Sequence, residues 1–141
     1  MNESNLLAAA ISWQHVHPVL VHFTTALLPA SFFSDAVGKY SSRCSLNQAA
    51  FWMLLYAAIA TPLTAAAGLM WADAIGAASR AMQTHQWIGL GLTVVYVGLA
   101  GWRTRAFLRG RGPGTLYLAA AALSTLFLFY QGYLGGKMTL G

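Results

Sequence analysis

His15-Val16-His17-Pro18-Val19-Leu20-Val21-His22-Phe23 is the stretch whose reading decides the fold of this chain. Three histidines stand at the mouth of an apolar run that continues to Val37 with one acid, Asp35, and no Lys or Arg. A helix needs roughly 20 mostly apolar residues to cross a bilayer, and this run supplies them. His22 then falls about a turn and a half inside the membrane boundary, at 1.5 Å per residue. Ionisable groups at that depth are costly and face the protein interior, where they mark sites.

Working outward, three further runs repeat the pattern. The spans expected are Pro18–Gly38, Gln48–Trp71, Gln83–Trp102 and Thr115–Gly136, which leave almost nothing of residues 1–141 for a soluble domain. The composition agrees: 57% hydrophobic and 8% charged residues, where a soluble domain is about a quarter charged. Mean hydropathy is +0.56. The fold class expected is an all-α integral membrane protein, one transmembrane domain built as a four-helix up-down bundle with short loops. Pro18 suits the first turn of span one, whereas Pro29 and Pro62 fall mid-span, where proline removes a backbone hydrogen bond. Residues Ser4–His15 read as a short interfacial helix. The start, Met1-Asn2-Glu3-Ser4, lacks the basic region of a cleavable signal peptide. Cys44 is the single cysteine, so disulfides and thiolate clusters within one chain are excluded.

The net charge of +5 does not point to nucleic acid, because the basic residues sit in short loops. In a membrane protein that distribution encodes orientation. Lys39 and Arg43 occupy loop one, and Arg103, Arg105, Arg109 and Arg111 occupy loop three; Arg80 and Lys137 lie on the opposite side. Loops one and three are therefore expected in the cytoplasm, with both termini on the outer, periplasmic side of a bacterial inner membrane. All four histidines then gather at the outer face: His15, His17 and His22 on span one and His85 on span three.

His22 and His85 lie at similar depth on different helices, the minimal arrangement for bis-histidine ligation of a b-type haem. Ala26 and Gly89, one turn below them, would leave room for a macrocycle, and Arg80 and Lys137 could pair with its propionates. The function expected is a haem-binding electron-transfer or redox-complex membrane subunit, not an enzyme on its own. Three acids in this arrangement assemble no nucleophile–base–acid set. A transition-metal site drawing on His22, His85, His17 and His15 is the chemical rival, since imidazole suits Zn, Cu, Fe and Ni. A cofactor-free structural or assembly subunit is the third reading, with the imidazoles bonding Tyr130, Gln131 or Tyr133. Asp35 is expected to pair with Lys39, four residues on. Gly132 and Gly136 stand in GxxxG register, which permits close helix approach and a homo-oligomer.

His17-Pro18-Val19-Leu20-Val21-His22-Phe23 resembles the opening signature of the bacterial membrane family catalogued as domain of unknown function number 2231. Asp35, Thr84-His85-Gln86 and Gly132-Tyr133-Leu134-Gly135-Gly136-Lys137 agree with it, so the resemblance covers nearly the whole chain. It implies a compact four-helix membrane protein. Similar proteins carrying iron–sulfur or cytochrome c domains imply redox company, such as a periplasmic cytochrome c or iron–sulfur partner. Two positions depart from the pattern. Thr24 replaces the usual proline, and the end, Lys137-Met138-Thr139-Leu140-Gly141, lacks the usual tyrosine and His-Gly.

Overall fold

The computed structural model describes residues 13–74 and 79–140. Four helices account for nearly all of them: α1 (Trp13–Tyr40), α2 (Cys44–Ala74), α3 (Arg80–Leu108) and α4 (Thr115–Leu140). Most of the interfacial helix expected at Ser4–His15 lies outside the described residues. All four helices overrun the expected spans, because hydropathy marks the bilayer core while backbone hydrogen bonding continues through polar flanks. Pro18 accordingly sits inside α1, with Pro29, and Pro62 sits inside α2.

The helix ends follow from local chemistry. α1 stops in a left-handed residue, Ser42 at φ 55°, with Arg43 N–H donating back to Gly38 O at 3.0 Å. α3 starts at Ser79, whose hydroxyl accepts the Met82 N–H at 3.2 Å, the ordinary service of an N-cap serine. It ends in a Schellman motif around Gly110 at φ 65°: Arg111 N–H reaches Ala106 O and Gly110 N–H reaches Phe107 O, both at 2.9 Å.

Each helix packs against its chain neighbours, and α4 closes back on α1. The interior is built of small residues, among them Ala50, Ala57, Ala58, Ala67, Ala100 and Ala121, with Leu28, Leu54 and Leu99 between them. Large apolar side chains point outward instead, including Val19, Phe33, Ile59, Leu63, Val94 and Leu126. Water would not tolerate such a continuous apolar exterior, whereas lipid solvates it. Without a hydrophobic drive between helices, close approach over small residues supplies the packing.

Three helices are long and apolar enough to cross a membrane: His15–Tyr40, Cys44–Asp73 and Thr115–Met138. α3 has the length, 29 residues, but a less apolar composition. Part of the reason is Arg103, which is 1% exposed and held by Asp35 of α1, itself 0% exposed. Nε donates to Oδ2 at 2.9 Å and Nη2 to Oδ1 at 3.0 Å, while Nη2 also reaches Asn47 O at 3.1 Å. Asp35 therefore does not pair with Lys39. The lysine turns to the loop and donates to Pro113 O at 2.9 Å.

Candidate functional site: two histidines inside the bundle

Among the buried positions of α1, Thr24, Leu28, Ser31, Asp35 and Gly38 follow a four-and-three spacing, with Pro29 beside them. Extending it back seven residues lands on His17. The ring of His17 accordingly turns inward, and Nδ1–H donates to Thr64 O of α2 at 2.9 Å. Gly68, one turn further along α2, makes the space: a Cβ there would stand 2.7 Å from His17 Cε1. Trp71 closes the side, its ring centroid 5.9 Å from the imidazole. With Nδ1 spent as a donor, Nε2 is fixed as a lone pair.

His85 enters from α3, on the stripe that continues through Leu92, Tyr96, Leu99 and Arg103. Its ring lies over Gly135 of α4, where a Cβ would be 3.1 Å from Cε1. Its main-chain oxygen accepts Gln131 Nε2 at 2.8 Å. Two atoms are left over: His85 Nδ1 and Gln131 Oε1 are both buried with no hydrogen-bond partner. His17 and His85 are near enough to interact electrostatically across the bundle. All four helices thus contribute to a polar cluster at the end of the bundle away from the buried Asp35–Arg103 pair.

The other residues expected at the site lie elsewhere. His22 is on the exposed side of α1 beside Val19 and Phe23, and its Nδ1–H donates to Pro18 O of its own helix at 2.6 Å. The structure therefore turns His17 and His85 into the bundle at the same end and leaves His22 outside. Five residues separate His17 from His22, a rotation of about 140° at 3.6 residues per turn, so the two cannot share a face. His15, Ala26, Arg80 and Lys137 are exposed. Gly89 is at the site, but its free space is taken by Gln131, whose Nε2 would stand 2.9 Å from a Cβ there. Tyr130 and Tyr133 face outward, and so do Gly132 and Gly136. Among the described residues no three His, Cys, Asp or Glu side chains form a group able to hold a metal. Gln131 and Thr64 were the contributors that sequence reasoning undervalued; their periodic places on α4 and α2 were the available signal.

A model of the family described as a predicted membrane protein, domain of unknown function 2231, matches residues 14–141. The chain belongs to that family. No curated protein and no solved structure matches it. In this member of the 2231 family the matched region takes in the whole histidine layer and the buried ion pair. The opening motif divides its labour: His17 faces the interior, His22 the surroundings, and Pro18 O receives the second imidazole.

Proposed function

We propose that the chain is a four-pass membrane protein whose outer end binds one transition-metal ion between His17 and His85, with Gln131 Oε1 as the neighbouring oxygen. The observation that carries this reading is a pair of buried polar atoms without hydrogen-bond partners, His85 Nδ1 and Gln131 Oε1. The inward-turned ring of His17 adds an acceptor, since the bond of Nδ1–H to Thr64 O leaves Nε2 as a lone pair. Buried polar atoms without partners cost about 1–3 kcal/mol each, and a cation satisfies several at once. The bond from His17 Nδ1–H to a backbone carbonyl is the support that metal-ligating histidines ordinarily have. Lys39, Arg43, Arg105, Arg109 and Arg111 lie at the end opposite the histidines, and the excess of basic residues there supports a cytoplasmic orientation for that end. A redox-active ion there would serve electron transfer with a periplasmic iron–sulfur or cytochrome c partner.

A b-type haem on His22 and His85 asks more of the fold. His22 would have to leave the outer face and Gln131 would have to vacate Gly89. Purified protein, expressed with ample haem and metals, separates the readings by elemental analysis and absorption. The expected result is bound metal that is lost in His17→Ala and His85→Ala and kept in His22→Ala. A Soret band that depends on His22 and His85 would replace the metal reading with haem. Colourless, metal-free protein would leave a structural subunit.

A further inference from the structure

Among the described residues, the donors gathered at the histidine end carry no negative charge. They are the imidazoles of His17 and His85 and the amide oxygen of Gln131. Asp35 is spent on Arg103 at the other end of the bundle, Asp73 is exposed, and Cys44 opens α2 at the far end. Among the described residues no three His, Cys, Asp or Glu side chains come together. The rim sets two exposed bases, Arg80 and Lys137, against the exposed Asp73.

This donor set discriminates between ions. The cost of burying an ion rises with the square of its charge, so a divalent ion without a carboxylate or thiolate is penalised about fourfold over a monovalent one. Zinc sites ordinarily close with four ligands, or with three and a water, and two histidines fall short of that. A soft, closed-shell monovalent ion tolerates fewer ligands and accepts imidazole and thioether donors.

α3 offers the thioether. Its buried stripe runs from Arg103 through Leu99, Tyr96 and Leu92. The same alternation of four and three continues through Gly89 to His85. Its next position is Met82, which is half-buried. Side chains on a helix lean toward its N-terminus, so His85 leans over the turn that carries Met82. Methionine is unbranched and polarizable, and its sulfur adapts to an irregular site. We propose that the ion is Cu(I), held by His17 Nε2, His85 Nδ1 and the sulfur of Met82, beside Gln131 Oε1. The inference rests on the reading of the histidine end as a metal site.

The test uses the full chain, purified in detergent under ascorbate without oxygen. Bicinchoninate competes for Cu(I), and a chromophoric zinc chelator competes for Zn(II). One Cu(I) per chain is expected, bound more tightly than Zn(II) and lost in His17→Ala and His85→Ala. X-ray absorption should show a sulfur neighbour that disappears in Met82→Leu. The same variant should weaken Cu(I) by about 10-fold or more, at least the effect of losing a supporting contact. Its Zn(II) affinity should not change. Gln131→Glu is the second variant: it puts a carboxylate beside the histidines and should narrow the gap between the two ions. Zn(II) bound as tightly as Cu(I) or more tightly would overturn the assignment of the ion and leave the metal site standing. Cu(I) binding untouched by Met82→Leu, with no sulfur neighbour, would remove Met82 from the site. A wild-type chain that binds neither ion would overturn the metal reading and this inference together.

Discussion

Removing one member of the Asp35–Arg103 pair is expected to be far more damaging than removing both. Arg103→Met strips Asp35 of two charge-assisted hydrogen bonds, at 2.9 and 3.0 Å, and strips Asn47 O of a third at 3.1 Å. Hydrogen bonds to charged groups contribute about 1.5–3 kcal/mol each, so the loss from the carboxylate alone is on the order of 3–6 kcal/mol. Breaking one partner of a buried ion pair costs about 3–5 kcal/mol, in agreement. Asp35→Leu should cost a similar amount, because the guanidinium then stays buried with Asn47 O alone. The double variant carries no orphaned charge and fills the same volume with apolar atoms. It should return to within about 1–2 kcal/mol of wild type. Unfolding in mixed micelles titrated with sodium dodecyl sulfate, followed by the fluorescence of the chain's tryptophans, measures all four proteins. A double variant as unstable as the sum of the singles would refute the reasoning, since it would mean that the two residues act separately.

Three further outcomes are expected. Ser42→Gly should stabilise the protein by about 0.5–1 kcal/mol in the same titration, because Ser42 sits at φ 55°, a left-handed conformation that glycine adopts without a side-chain penalty. Gly68→Ala should weaken metal binding by about 10-fold or more, because its Cβ would stand 2.7 Å from His17 Cε1 and push the ring off Thr64 O. Gly91→Ala, with nothing within 4 Å, should bind as wild type, and equal losses in both variants would detach the effect from His17. Cys44, exposed at the basic end, should resist a membrane-impermeant thiol reagent added to intact cells and react after lysis; labelling from outside would invert the proposed topology.

The helices were legible because each is an apolar run bounded by loop residues, and hydropathy needs no phase to find them. Their ends were not: α1 is already helical at Trp13, five residues before Pro18, since polar residues extend a helix that hydropathy has already lost. At the site, depth was readable and direction was overlooked. His22 has the right depth and the wrong azimuth, whereas the spacing from Asp35 back through Ser31, Leu28 and Thr24 points to His17. The same stripe on α3 joins His85 to Arg103. Asp35 shows the complementary difficulty. A sequence displays its neighbour Lys39 four residues on, but its partner lies 68 residues away and only the closed bundle brings the two together. Gly89 had been read for the room it leaves; which side chain takes that room, Gln131 of α4, is a tertiary fact.

The ion pair between α1 and α3 also bears on how the chain enters the bilayer. An arginine costs up to roughly 2.5–3.5 kcal/mol on insertion at the centre of an isolated segment and less toward its end. Arg103 stands five residues before Leu108, the last of α3, yet it is buried, and α3 is the helix that falls short in apolar composition. Its neutralising partner is synthesised 68 residues earlier, on a segment long and apolar enough to cross a membrane. Under the four-pass reading, α1 is then more than a wall of the bundle. By the time α3 leaves the ribosome, α1 is already in place and holds the carboxylate that admits Arg103, so the order of the helices along the chain is also the order in which membrane entry becomes affordable.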